Sequence, residues 1–351
     1  MLIADRYKID GVAHVGGMAQ VLPCNDMVLD RRVAIKIMPG DANRRRVLDE
    51  LNALLKMRSK HVVQVYDVLA LAHEDLAIVQ EYVDGLDFFE DATAPTSASE
   101  YLKLLWQIAS GLSDIHGIGI IHRDIKPNNM KVDAEGIVKI FDFGLARDEG
   151  GNAATVGFVG TKGFAAPELY THNATFTSAV DTYAFGATAL YIGLRGLPHE
   201  LMVQPPVVSK VNPFSGLNFQ LGGDVLDILN SCIEIDPKNR PSMVSVRDVL
   251  AKYLLQDRHK ALVVYKGVPS YLSFSNRSVV LSLPAMGDVE IFYDGFDFVV
   301  RALSGDVFIN NRRAVVGGKL PGACVVALGA PEQKNRRRYI TFDLSNPEIV
   351  L

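Results

Sequence analysis

The chain has 351 residues, 48% hydrophobic and 22% charged, with a formal net charge of −4. This is the composition of a folded protein with two or three cores, and so weak a charge points to neither nucleic acid nor an anionic membrane as a partner. No window approaches the roughly 18 apolar residues of a membrane span, and the charged stretch from Met1 to Asp10 does not read as a signal peptide.

From Tyr7 to Val83 the pattern is mostly strands, with short apolar runs at Val21–Leu22, Val33–Ile37, Val62–Val65 and Ala77–Gln80. One predicted helix, Arg44 to Arg58, interrupts them and places Val47, Leu51, Leu54 and Leu55 on one stripe. Asp84-Gly85 marks a break. The chain then turns helical, most clearly at Ser99–His116, Ser178–Leu194 and Asp224–Ile235, with Pro205-Pro206 and Asn212-Pro213 in a long polar connection. After about Gln256 the pattern becomes alternating strands with Gly, Asn and Asp turns. Three domains are expected: 1–80, rich in strands; 81–256, helical; and 257–351, a small all-β sandwich.

The charge is uneven. Residues 1–257 hold 24 Lys+Arg against 32 Asp+Glu, or −8, and residues 258–351 hold 12 against 8, or +4. A basic tail on an acidic body suits contact within the chain or between two copies, and equally suits a solvated small domain. Cys24, Cys232 and Cys324 are far apart and odd in number. They read as buried hydrophobes in a reducing, cytoplasmic setting.

The chemistry concentrates in His122-Arg123-Asp124-Ile125-Lys126-Pro127-Asn128-Asn129, with Asp142-Phe143-Gly144 beginning thirteen positions after Asn129. Moving a γ-phosphoryl group asks little covalent work of a protein. It needs cations on the phosphates, metal ligands and an acceptor for the hydroxyl proton. Asp124 is the candidate acceptor and Lys126 the contact to the γ-phosphate. Asn129 and Asp142 are the candidate Mg²⁺ ligands, with Mn²⁺ as an alternative ion. Lys36, at the end of the predicted strand Val33-Ala34-Ile35-Lys36, would hold the α- and β-phosphates, and Glu50 would hold Lys36.

With these motifs the chain resembles the eukaryotic-type (Hanks-type) serine/threonine protein kinases over residues 5 to 256, in their bacterial branch. The resemblance implies a bilobal α+β fold, with a β-rich N-lobe and a helical C-lobe, ATP in the cleft and protein substrates. Gly16-Gly17-Met18-Ala19-Gln20-Val21 looks like the glycine-rich loop, so His14, Gly16, Gly17, Val21 and Ala34 would line the nucleotide. Gln80 would be the gatekeeper, with backbone groups of Glu81 and Val83 on the adenine. Ala166-Pro167-Glu168 looks like the end of the activation segment, and Arg240 like the arginine that pairs with that glutamate. Asp181 looks like the helix aspartate that anchors the catalytic loop. Lys126 and Gly160-Thr161 resemble the serine/threonine type, with Thr161 bonding the catalytic aspartate and lysine.

Two positions depart from the family pattern. His14 stands at the first glycine of the loop, where it removes a permissive φ at a tight turn and raises the expected KM for ATP. Lys131 stands where an apolar residue usually lies beneath adenine, and its stem would lie along the ring. Arg123 before Asp124 implies regulation by a phosphorylated activation segment, with Thr155 as the candidate autophosphorylation site. The alternative reading is a pseudokinase-like scaffold that binds nucleotide and recruits partners through its C-terminal domain.

That domain resembles a forkhead-associated (FHA) sandwich at Tyr271–Leu281, Gly305–Arg312 and Leu320–Gly329. Arg277 could stand for its phosphate-contacting arginine. Asp288 falls where the phosphothreonine-binding histidine is expected, and a carboxylate there repels phosphate. The expectation is a docking or dimerising module without phosphothreonine binding, in which Arg336-Arg337-Arg338 is a solvated turn.

Overall fold

A computed structural model describes the chain apart from residues 1, 16–19, 39–50, 52–53, 56, 72–74, 144–146, 149–159, 172–175, 346 and 351, and apart from the side chains of residues 14, 15, 147 and 148. The chain divides into two compact units, the first ending at Leu250 and the second running Ala251–Val350. The first is a protein of two lobes, strand-rich and then helical; the second is all-β.

The first lobe is an antiparallel sheet of β1 (Leu2–Ile3), β2 (Tyr7–Ile9), β3 (His14–Val15), β4 (Gln20–Asp26), β5 (Arg31–Met38), β6 (Val65–Ala70) and β7 (Leu76–Glu81). Its order is β1-β2-β4-β5-β7-β6, with β3 paired to β4. Alternation explains it: Leu22, Cys24, Val33, Ile35, Ala77 and Val79 form one buried cluster with Tyr7. Leu51, Leu54 and Leu55 are helical, and Leu51 and Leu54 are buried. Two expectations are corrected here. Lys36 does not end its strand, which continues to Met38. The third apolar run enters the sheet only at Val65, as β6, because buried Val62 and Val63 instead reach Ile140, through a parallel bridge and a 2.9 Å hydrogen bond.

The second lobe holds β8 (Gly85–Asp87), α1 (Ala98–Gly117), β9 (Ile120–Ile121), β10 (Met130–Asp133), β11 (Val138–Ile140), β12 (Arg147–Asp148), α2 (Ala179–Leu194), α3 (His199–Met202), α4 (Gly223–Cys232) and α5 (Met243–Leu254). Ser97 caps α1 by accepting the Glu100 N–H at 3.2 Å. Tyr101, Leu105, Ile108, Leu112 and Ile115 then form its fully buried stripe. Helix α2 is buried on almost every side, including Asp181 in its first turn. Tyr101 Oη donates to the Ala189 carbonyl at 2.9 Å and locks α1 to α2. The expected helix 224–235 is shorter, 223–232, and α5 went unmarked in the sequence.

The second unit packs two sheets face to face. One has the order β14-β13-β21-β20-β18-β19, from β13 (Ala261–Tyr265), β14 (Val268–Leu272), β18 (Val307–Ile309), β19 (Arg312–Arg313), β20 (Cys324–Leu328) and β21 (Arg338–Leu344). The other is β15 (Ser278–Leu283), β16 (Gly287–Tyr293) and β17 (Phe298–Gly305). Strict alternation on β16 sends Val289, Ile291 and Tyr293 into a core shared with Leu281, Val300, Val326 and Phe342. Asn310 and Asn311 both take positive φ (47° and 64°), which closes the β18–β19 hairpin with a two-residue turn. The arginine run is not simply solvated: the Arg337 guanidinium lies 5.2 Å from the centres of both the Phe308 and Tyr339 rings and donates to the Gly329 carbonyl at 2.9 Å. All three cysteines are free and buried. Among the described residues no helix is long and apolar enough to cross a membrane.

Candidate active site

The site is assembled on a short loop between β9 and β10, and its anchor is Asp181. That carboxylate is fully buried and accepts the backbone N–H of His122 at 2.8 Å and of Arg123 at 2.7 Å, and it also meets His116 Nε2 at 2.9 Å. Burial alone would push Asp181 up, but the His116 bond and charge, with the Arg123 amide, hold it below the usual carboxylate range. Arg123 has φ +69°, costly for a residue with a Cβ, and the Asp181 contact to its N–H fixes that conformation. The buried Arg123 guanidinium stacks 5.0 Å from the Phe176 ring centre.

This turn presents Asp124 to a ring of donors. Lys126 Nζ lies 2.7 Å from Asp124 Oδ2, Thr161 Oγ1 donates to Oδ1 at 2.9 Å, and Lys126 also donates to Thr161 Oγ1 at 2.7 Å. Asn129 Nδ2 donates to the Asp124 carbonyl at 2.7 Å and to Oδ2 at 2.9 Å. The amide nitrogen of Asn129 is thereby committed, which leaves its oxygen as the atom open to a cation. Phe141 N–H donates to the Asn129 carbonyl at 2.9 Å and brings the residue before Asp142 alongside. Asp142 has φ +68°, and its carboxylate pairs with Lys36 Nζ from the other lobe. His122, fully buried, lies with its ring centre 4.9 Å from that of Phe143, the two rings tilted by 53°, and meets the Phe141 carbonyl at 3.0 Å.

Asp124, Lys126, Asn129, Thr161, Asp142 and Lys36 therefore converge. Val21 stands opposite Lys36 in the sheet, and Ala34 opposite Gln80, at the end of β7. Glu81 and Val83 follow as half-buried residues. Lys131 is half-buried on β10, on the face opposite fully buried Met130. His14 corrects an expectation: its backbone is in β3, in register with Val21, so it occupies an extended conformation rather than a tight turn. Histidine costs no permissive φ there, and the ground for a raised KM disappears. Gly16, Gly17, Glu50 and Thr155 lie outside the described residues.

Arg240 forms a two-bond pair with Glu168, at 2.6 and 2.9 Å, and donates to three backbone carbonyls (Glu234, Ala179 and Ile235). Three neighbours went unmarked in the sequence. His116 is the third partner of Asp181. Asp87 faces Lys131 across β8 and β10, and Lys139 faces Lys131 across β11. The alternation of buried Val138 and Ile140 around Lys139 was the available signal for the last of these.

A divalent cation fits the donors present. Among the described residues no group of three His, Cys, Asp and Glu side chains is gathered to cage a metal. One carboxylate, Asp142, and one amide oxygen, Asn129, is the donor set of an ion that takes its remaining ligands from phosphates and water.

Residues 11–253 match the family of the protein kinase domain, and the chain belongs to that family. It is 31% identical over 248 residues to the probable serine/threonine-protein kinase pknA2 of Bifidobacterium longum, covering 67% of this chain and 31% of that one. It is 40% identical over 153 residues to the serine/threonine-protein kinase PrkC of Bacillus subtilis, covering 41% and 23%. It is 30% identical over 254 residues to the CBL-interacting serine/threonine-protein kinase 8 of Arabidopsis thaliana, covering 69% and 56%. The chain thus matches less than a third of the length of either bacterial kinase.

Proposed function

We propose that the chain is an ATP-dependent protein kinase that phosphorylates serine and threonine hydroxyls of proteins. The observation that carries the reading is the convergence of Asp124, Lys126, Thr161, Asn129 and Asp142 within one hydrogen-bonded cluster, with Lys36 delivered from the other lobe. The names of the relatives support the choice of hydroxyl.

In this reading the acceptor hydroxyl approaches Asp124, which takes its proton as the oxygen bonds to the γ-phosphorus. The bond from the γ-phosphorus to the β–γ bridging oxygen breaks, and ADP leaves. Lys126 would neutralise the γ-phosphoryl oxygens and Lys36 those of the α- and β-phosphates. Thr161 and Asn129 hold the Asp124 carboxylate in one orientation. Asn129 and Asp142 would hold Mg²⁺, or Mn²⁺ in its place, which when bound neutralises phosphate charge. Gln80, Glu81 and Val83 would border the base, and the Lys131 stem would floor it. Thr155 is the proposed autophosphorylation site, with Arg123 as its partner.

The second unit is proposed to be an FHA-type sandwich without phosphothreonine recognition, serving contact within the chain or between copies. Arg277 is paired with Asp257 at 3.2 Å. Asp288 accepts from Ser282 and from Ser304, at the other end of the β15–β16 pairing, five residues or about 17 Å away. The working compartment proposed is the cytoplasm, where the three free cysteines stay reduced.

The test is a comparison of wild type with Asp124→Asn. Both are expected to bind MgATP, but transfer to a mixed protein substrate should fall about 10²- to 10⁴-fold in the variant. Nucleotide binding by wild type with no transfer to any substrate or to itself would instead favour the pseudokinase-like scaffold.

A further inference from the structure

Lys139 has no part in the chemistry above, yet its position is specific. Its Nζ lies 2.8 Å from Glu81 Oε1, and the two side chains are only 15% and 24% exposed. The other oxygen of Glu81 accepts the Gln64 N–H at 3.1 Å, and the Glu81 N–H donates to the Gln64 carbonyl at 2.8 Å. One residue thus ties together three separate pieces: the end of β7, the residue before β6, and β11.

Strand β11 leads directly into Phe141 and Asp142. The β10–β11 hairpin therefore carries both candidate cation ligands, Asn129 and Asp142, at its open end, closed by the Phe141-to-Asn129 hydrogen bond. Lys139 also stands directly opposite Lys131, and like charges in that arrangement repel. The Glu81 carboxylate offsets this repulsion, so the lysine is held toward the end of β7. Partial burial keeps the pair from being fully screened by solvent.

We propose that Lys139 is a positioning residue for nucleotide binding. Its ion pair with Glu81 fixes the strand end that receives the base relative to the hairpin that carries the cation ligands. The inference rests on the kinase reading, and its effect falls on how nucleotide and cation are held together rather than on the transfer step.

The experiment measures MgATP binding and steady-state kinetics for wild type, Lys139→Met, Lys139→Arg, Glu81→Gln and the double variant Lys139→Met/Glu81→Gln. Glutamine at position 81 keeps an acceptor for the Gln64 N–H. Lys139→Met is expected to raise KM for MgATP about fivefold with kcat within about twofold, and the double variant to be no worse than the poorer single one. Lys139→Arg retains the pair and should stay near wild type. Should Lys139→Met fail to fold, Glu81→Gln probes the same contact from the other side. A wild-type KM in both single variants, or fully additive effects in the double, overturns the inference while leaving the kinase reading intact. Wild-type protein that binds no MgATP overturns both.

Discussion

The two units use charged side chains in opposite ways. In the kinase unit, residues far apart in sequence bring charged and polar groups to one place: Lys36 and Asp142 are 106 residues apart, Asp124 and Thr161 are 37 apart. In the sandwich, the residues that resemble a phosphate site stand apart and are already occupied. Arg277 is tied to Asp257 and stacks on Phe274, and Asp288 is bonded by serines on both flanking strands. The first arrangement leaves donors and acceptors aimed at one point. The second uses them for local structure.

The comparison breaks most readily at Arg240. Its side chain is fully buried and pairs with Glu168 in the 3-10 turn Pro167–Tyr170. Arg240→Ala is expected to destabilise the first unit by about 3–5 kcal/mol in denaturant unfolding, because it leaves Glu168 unpaired. Next is Asp181→Ala, which strands the His122 and Arg123 amides and His116. Unfolding should lose about 3 kcal/mol, and transfer should fall even where the protein is folded, since Arg123 would relax from positive φ. An Asp181→Ala protein with wild-type activity would show that the anchor is not needed to aim Asp124.

In the sandwich the expected effects are smaller. Asp288→His restores the residue that the FHA pattern asks for, yet phosphothreonine peptides should still not bind in fluorescence titration. The arginine that would share the phosphate stands at the other end of the strand pair. Binding created by that single change would contradict the separation described here.

The smallest effect is in pH. The Arg6 hydrogen bond holds Asp26 down to about 2, against an ordinary 3.8. A depressed carboxylate stabilises the fold above the ordinary value, and that contribution disappears as pH falls from about 4 toward 2. His61 shifts the other way in charge but to the same side in pH. Burial lowers it, against the pull of the Val138 carbonyl, so the unfolded chain protonates first and stability declines as pH falls below the ordinary 6.5. Melting temperature between pH 7 and 5 should therefore fall less in His61→Gln than in wild type.

Much of the kinase unit was legible because its chemistry is written in contiguous tripeptides. Asp124, Lys126, Asn129 and Asp142 could be proposed together as site residues before any fold was known, and the fold brings them to one place. Short elements were not legible: β8 through β12 have two to four residues each, too few for a period to show. The Val62–Val65 run reads as strand because three of its four residues are valines, yet tertiary contact with Ile140 takes Val62 and Val63 into the core instead. Lys139 went unmarked because its partner, Glu81, lies 58 positions earlier in the sequence. The His14 expectation failed because a glycine position in a motif need not be a positive-φ position in this chain.

The central claim is that the cluster around Asp124 transfers phosphate. Intact-mass and peptide mass spectrometry of wild type and Asp142→Ala, each incubated with MgATP, test it most directly. Wild type alone is expected to gain phosphate, on Thr155 first. Wild type that binds MgATP but gains no phosphate, on itself or on any offered protein, would contradict the account.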